Sequence, residues 1–141
     1  MDAFDADVLI YAAVPDHPLG RRVRALFADE GPAVIGSVAG VGSVLLLPEL
    51  LTKPTREGAH DEVAALVALL ARLDLRPVDE QIATLATALG AGYGLRASDA
   101  VHLATAVASG ADRFITNNSA DFPTTITEID VTYPDQLPDP G

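Results

Sequence analysis

Apolar and polar positions along this chain fall into short blocks: strand-length apolar runs, each followed by a stretch whose apolar residues recur at helical spacing. Phe4 leads a short first strand to Asp5, and Val8-Leu9-Ile10-Tyr11-Ala12-Ala13 continues as an element buried on most sides. Asp16-His17-Pro18 reads as a turn with His17 in solvent. Leu19, Val23, Leu26 and Phe27 then predict a helix from Pro18 to about Phe27, stopped by Glu30-Gly31-Pro32. Ala33-Val34-Ile35-Gly36 reads as a second strand. Gly36-Ser37-Val38 is echoed by Gly42-Ser43-Val44, an apparent insertion that lengthens a loop. Val44 to Leu51 is apolar apart from Glu49, with Pro48 suited to the first turn of a helix.

Thr52 to His60 reads as a polar connection. Asp61 and Glu62 then start a helix to Leu73 that is apolar nearly all round. Leu75 to Val78 predicts the third strand, and Asp79 to Ala91 an Ala/Leu helix ended by Gly90, Gly92 and Gly94. Ser98 is the expected cap of a helix from Asp99 to about Ser109, closed by Gly110. Phe114-Ile115-Thr116 reads as a strand ending in the polar loop Asn117 to Pro123, and a last strand is expected near Glu128 to Val131. Strands alternating with helices imply a parallel α/β sandwich, a single domain over residues 1–133. The Pro/Asp-rich tail, 134–141, is expected to be loosely ordered.

The totals narrow the class. A chain of 141 residues, 49% hydrophobic, can bury a real core, and it has no cysteine for a disulfide or thiolate metal site. With no signal-peptide pattern and no apolar run long enough to span a bilayer, the expectation is a soluble, cytoplasmic protein. Twenty acids against nine bases give a net charge of −11, a surface that repels polyanions. A nucleic-acid substrate would need bridging cations or a local basic patch. Arg21, Arg22 and Arg24 form one candidate patch and Lys53 with Arg56 another, while solvated charges on helix faces are the plainer reading for most of them.

Certain acids stand where chemistry gathers. Ligands of open parallel sheets lie outside the carboxyl ends of the strands. Asp5 follows the first strand, and either it or Asp7 could instead cap the next helix. Glu49 sits among leucines, where a carboxylate is costly unless paired or metal-bound. Asp99 shares a helical face with His102, Leu103 and Ala106, which also allows a buried acid–histidine pair. Asp121 follows the fourth expected strand. Acids converging there would repel one another, and a hard divalent cation relieves that repulsion. Such ions serve in-line phosphodiester cleavage. Asn118 and Asp121, three residues apart, could both face the ion across one helical turn, with Asp121 supplying charge and Asn118 positioning water or phosphate.

Four segments carry a resemblance: Phe4-Asp5-Ala6-Asp7-Val8-Leu9-Ile10-Tyr11-Ala12, Leu47-Pro48-Glu49-Leu50, Leu95-Arg96-Ala97-Ser98-Asp99-Ala100-Val101-His102-Leu103-Ala104-Thr105-Ala106, and Ile115-Thr116-Asn117-Asn118 with Asp121-Phe122. The chain resembles the PIN domain, and more narrowly the VapC-type toxins of bacterial toxin–antitoxin pairs. The likeness runs over nearly the whole length. It implies a three-layer α/β/α sandwich with a five-stranded parallel sheet in 3-2-1-4-5 order. It also implies an Mg²⁺- or Mn²⁺-dependent endoribonuclease, a dimer, and a cognate antitoxin. By match, Asp5, Glu49 and Asp99 take the first three acidic roles; the expected metal ligands are Asp5 and Asp99, joined by Asp121. Thr116, Asn118 and Asp7 are expected to contact the substrate or to support these acids from behind. The chain departs from the pattern at Asp7, where a small polar residue is usual, and at Asn118, where many members place the fourth acid. That leaves Asp121 to substitute.

Two rival classes remain at this level. Asp5-Ala6-Asp7-Val8 also matches the nucleophile motif of haloacid-dehalogenase-like phosphatases, with Asp5 as nucleophile. Against it, the second motif falls late, and Lys53, the sole lysine, precedes it. A non-catalytic binding module would keep the fold and use the acids as caps. The apolar helix Val63–Leu73, and possibly its neighbour Ile82–Leu89, predicts a homodimer face where Leu66 or Leu70 meets the partner.

Overall fold

Five short strands form one parallel sheet in the order β3-β2-β1-β4-β5, as the resemblance implies. They are β1 (Asp2–Phe4), β2 (Gly40–Ser43), β3 (Leu73–Arg76), β4 (Arg113–Ile115) and β5 (Asp130–Thr132). The helices between them are α1 (Ala6–Ala13), α2 (Pro18–Arg24), α3 (Leu46–Arg56), α4 (His60–Leu70), α5 (Glu80–Tyr93) and α6 (Ala97–Ala108). The computed structural model describes residues 1–28 and 38–141. The expected strand 33–36 and the stop at Glu30-Gly31-Pro32 lie outside the described residues.

Alternation along each strand builds the three layers. Ala3 and Phe114 point into a core formed with α5 and α6, together with Phe122, Ile126 and Ile129. Their sequence neighbours Phe4 and Ile115 point the other way, into a core with α1 to α4 that includes Val8, Leu9, Leu46 and Leu66. One sheet is thereby covered on both faces.

The second strand lies where the sequence suggested a loop insertion. Gly40-Val41-Gly42-Ser43 has little side chain to announce a strand, yet all four residues are buried. The glycines are demanded by close approach. A Cβ on Gly40 would sit 2.3 Å from the Asp2 carbonyl oxygen and 2.7 Å from the Phe4 ring, and one on Gly42 would sit 2.5 Å from Leu46 Cδ1.

Other boundaries also move. α3 runs on to Arg56 through the span expected as a polar connection, with Pro54 buried one turn after Leu50. Pro54 forfeits its N–H bond, but the helix ends two residues later. α4 stops at Leu70 and β3 begins at Leu73, two residues before the expected start. α5 runs through Gly90 and Gly92 to Tyr93, past its expected end at Ala91, and only Gly94 makes the stop, in the left-handed conformation. Arg96, not Ser98, occupies the N-cap position of α6, and it offers no side-chain bond there.

α4 is amphipathic rather than apolar all round. Leu66, Leu69 and Leu70 are buried in the chain's own core, whereas Val67 is exposed. Leu66 and Leu70 are therefore unavailable to a partner. His17 is half-buried: its Nδ1 accepts from the Gly20 N–H at 3.1 Å to cap α2, and its ring stacks on Tyr11 at 4.3 Å. The expected loose tail is packed as far as Leu137, which is 2% exposed. The Arg22 guanidinium donates to the Asp135 and Leu137 carbonyls, and the Tyr133 hydroxyl donates to the Phe122 carbonyl.

Candidate functional site

The site is assembled at the carboxyl ends of β1 and β4, where two parallel neighbours open into separate connections. Asp5 ends β1, and its N–H donates to the Ile115 carbonyl at 2.9 Å, which locks its position against β4. Asp5 is also the N-cap of α1, with Oδ1 accepting from the Ala6 N–H at 2.8 Å. The cap reading and the site reading therefore both hold for this residue. Its Oδ2 accepts from the Thr116 hydroxyl at 2.8 Å, and that hydroxyl oxygen accepts from the Asn118 N–H at 3.1 Å. Thr116 is fully buried and thus fixes the distance between the first acid and the loop after β4.

Asp7 lies in the first turn of α1, and its Oδ2 accepts from the Asn117 N–H at 3.0 Å. Its Oδ1 is buried without a hydrogen-bond partner. Burial, and after it the neighbouring Asp5 charge, push its carboxyl up to about 7. Burial likewise raises Asp5, only partly offset by the Thr116 bond.

The loop from Asn117 to Phe122 is closed by its own backbone, with the Phe122 N–H donating to the Asn118 carbonyl at 2.9 Å. Phe122 anchors it, buried edge-on against Phe114 at 5.0 Å between ring centroids. Asn118 and Asp121 share a side of this turn but are bonded to each other. The Asn118 side-chain oxygen accepts from the Asp121 N–H at 3.2 Å, and its amide nitrogen donates to Asp121 Oδ2 at 2.9 Å. Asn118 thus presents Asp121.

Asp99 stands in the first turn of α6 and is raised by burial, then by the charges of Asp5 and Asp121. Those couplings, with a further one from Glu49, tie the acids of four separate segments into one electrostatic unit. Glu49 occupies the first turn of α3, on the rim rather than in the apolar neighbourhood its sequence suggested. Leu46 and Leu50 turn inward, while Leu47 and Pro48 face out with it.

Helical spacing allows His102 to pair with Asp99, one turn away. The structure gives His102 to Glu49, with Nε2 and Oε2 3.0 Å apart across two helices. His102 is buried, and its Nδ1 has no partner. Burial works against a charged ring, but the Glu49 hydrogen bond and the charges of Glu49, Asp5 and Asp99 outweigh it and raise its pKa. No local signal could have shown this contact, because Glu49 is distant in the chain and only the fold brings α3 beside α6.

The donor set suits a hard divalent cation: the carboxylates of Asp5, Asp99 and Asp121 repel one another, and an oxygen-seeking ion would relieve that repulsion. Among the described residues, no three His, Asp or Glu side chains stand as a ready-made metal cluster. Within this chain, then, the acids share one neighbourhood without closing on a common point.

Comparison with known proteins follows the same line. A family model described as the PIN domain matches residues 3–125. No match was found among curated proteins. Among solved structures, the chain is similar to a toxin–antitoxin complex from Klebsiella pneumoniae, with 26% identity over 95% of this chain and 98% of that one, at a TM-score of 0.67. It shares its fold with VapBC2 from Rickettsia felis bound to a DNA fragment from their promoter (15% identity, 94% and 97% coverage, TM-score 0.67). FitAB bound to an IR36 DNA fragment is similar too (19% identity, 100% of both chains, TM-score 0.65). Because the matched span takes in the sheet through β4 together with Asp5, Glu49, Asp99 and Asp121, this chain belongs to the PIN-domain family.

Proposed function

We propose that this protein is a metal-dependent endoribonuclease and the toxin of a toxin–antitoxin pair. The observation that carries the reading is the gathering of acids where β1 and β4 end: Thr116 bonds Asp5, Asn118 bonds Asp121, and His102, one turn from Asp99 on α6, bonds Glu49. Asp5, Asp99 and Asp121 would hold Mg²⁺ or Mn²⁺. The ion's chemistry is to activate water and neutralise charge on the scissile phosphate. Glu49, bonded to His102 and partly open to solvent, would take the proton from the attacking water. Thr116 and Asn118 hold Asp5 and Asp121 in place, and Asp7 ties down the loop at Asn117.

Family membership sets aside the phosphatase alternative. The antitoxin is proposed from the similarity to a toxin–antitoxin complex. Its site-facing segment would present an Arg to Asp5, Glu49 or Asp99 as a bidentate substitute for the ion. A homodimer is part of the proposal, now through outward residues such as Val67 on α4 rather than Leu66 or Leu70. No helix among the described residues is long and apolar enough to cross a membrane, and a cytoplasmic setting belongs to the same proposal.

Incubating the purified chain with total RNA, with and without Mg²⁺ or Mn²⁺, tests the activity. Discrete cleavage products that disappear with chelator support it. Intact RNA together with no metal binding by calorimetry at millimolar Mn²⁺ would leave a non-catalytic module instead.

A further inference from the structure

A chain with net charge −11 must find cations somewhere if it is to hold RNA, and most of its nine basic residues are already occupied. Arg21 donates to the Gly141 carbonyl, Arg22 to those of Asp135 and Leu137, and Arg24 to those of Ala12 and Pro15. The basic patch suggested by the sequence is therefore committed to holding the chain's own backbone. Arg72 donates to the Phe27 carbonyl, Arg76 pairs with Asp74, and Arg113 pairs with Asp2.

Lys53, Arg56 and Arg96 remain. All are exposed, and none makes a hydrogen bond or ion pair among the described residues. Their placement is selective. Lys53 and Arg56 follow Glu49 by four and seven positions on α3, which puts the three within an arc of roughly 60°. Arg96 precedes Asp99 by three positions at the start of α6. The free cations thus lie on the two helices that carry Glu49 and Asp99.

Helix electrostatics accounts for only part of this pattern. Lys53 and Arg56 are in the last turn of α3, where positive charge is favoured. Arg96 is at the opposite kind of end: a helix N-terminus disfavours a cation, and the N-cap position favours Ser, Thr, Asp or Asn. Arg96 makes no side-chain bond there in return. A phosphate arriving beside Asp99 would give its charge a partner.

We infer that Lys53, Arg56 and Arg96 form a phosphate track that carries a single RNA strand past the acidic site, with α3 holding one flank and α6 the other. This rests on the nuclease reading and adds the residues by which a strongly acidic protein holds its substrate.

Salt dependence tests it. An Asp99→Asn chain, which should not cut, is titrated with a fluorescein-labelled single-stranded RNA in Mg²⁺ at salt from 50 to 200 mM. Each phosphate contact contributes about 0.7 to the slope of log affinity against log salt. Adding Lys53→Gln, Arg56→Gln and Arg96→Gln together should weaken binding at least ~10-fold at the lowest salt and flatten the slope by about 2. Each single change should flatten it by about 0.7. Arg113→Gln, at the amino ends of the strands, should leave the slope as it was. RNA binding with an unchanged slope in the triple variant would overturn the track and leave the nuclease reading standing. No RNA binding by the Asp99→Asn chain, together with no cleavage by the wild type, would overturn the nuclease reading and the track with it.

Discussion

Asp7 offers a thermodynamic test that needs no substrate. Its carboxyl moves from 3.8 to about 7 on folding, chiefly through burial and next through the charge on Asp5. Below about pH 4 the group is protonated in both states, and its contribution to stability is fully present. As pH rises toward 7 the unfolded chain releases the proton while the folded chain retains it, so stability is lost. Above about 7 the loss levels off. A rise of about three pH units corresponds to about 4 kcal/mol at roughly 1.4 kcal/mol per unit. Solvent still reaches part of the side chain, which brings the expectation nearer 2 kcal/mol.

Asn mimics the protonated form. Its side-chain oxygen can still accept the Asn117 N–H that Asp7 Oδ2 accepts, and its uncharged amide takes the place of the unpartnered Oδ1. Asp7→Asn should therefore match the wild type near pH 3.5 and exceed it at pH 8 by about 2 kcal/mol, or about 6–8 °C in Tm for a chain of this size. The assay is thermal unfolding by circular dichroism across that pH range in EDTA. Asp5 and Asp99 titrate in the same direction, so the comparison with the variant isolates the share due to Asp7. A Tm difference that does not change with pH would refute the reasoning.

Other substitutions probe the rest of the account. His102→Ala frees Glu49 and should lower kcat by about 10–100-fold, the usual cost of removing an outer-shell partner, while His102→Gln, which retains an N–H donor, recovers part of it. Wild-type kcat in His102→Ala would show that Glu49 needs no such support. Leu66→Glu places an unpaired charge at a 1%-exposed core position and should abolish cooperative unfolding, whereas Val67→Glu keeps the fold and shifts the light-scattering mass from dimer to monomer. A wild type that is already monomeric at micromolar concentration would remove the dimer. Asp121→Asn should weaken Mn²⁺ binding and cleavage together, while Asn118→Asp preserves or tightens Mn²⁺ affinity. Wild-type behaviour in Asp121→Asn would reduce the site to three acids.

The acids were legible because strand ends and helix first turns can be located from apolar periodicity, and Asp5, Glu49 and Asp99 occupy such places. Sheet order was accessible only through family resemblance, since periodicity says nothing about which strands are neighbours. Gly40-Val41-Gly42-Ser43 escaped notice because close neighbours at Gly40 and Gly42 leave no room for side chains there, so Val41 alone carries the β-branched signature that marks a strand. The His102–Glu49 contact was hidden for a different reason: it depends on the packing of α6 against the sheet beside α3, and helical spacing pointed to the closer Asp99. The tail looked disordered by composition, yet Leu137 finds a core position and Arg22 accounts for two of the tail's carbonyls. Similarly, the run Arg21, Arg22 and Arg24 had the look of a surface patch, and only the structure shows its donors turned onto the backbone.

The central claim is that Asp99 and its neighbouring acids form a metal-dependent site for cutting RNA. The most direct measurement is cleavage of a labelled RNA by Asp99→Asn at saturating Mn²⁺, beside the wild type, with folding of both confirmed by circular dichroism. The account predicts a folded variant, at least as stable without metal because a like-charge repulsion is relieved, whose cleavage rate falls by a factor of about 10² or more. A folded Asp99→Asn that cuts RNA at the wild-type rate would contradict it.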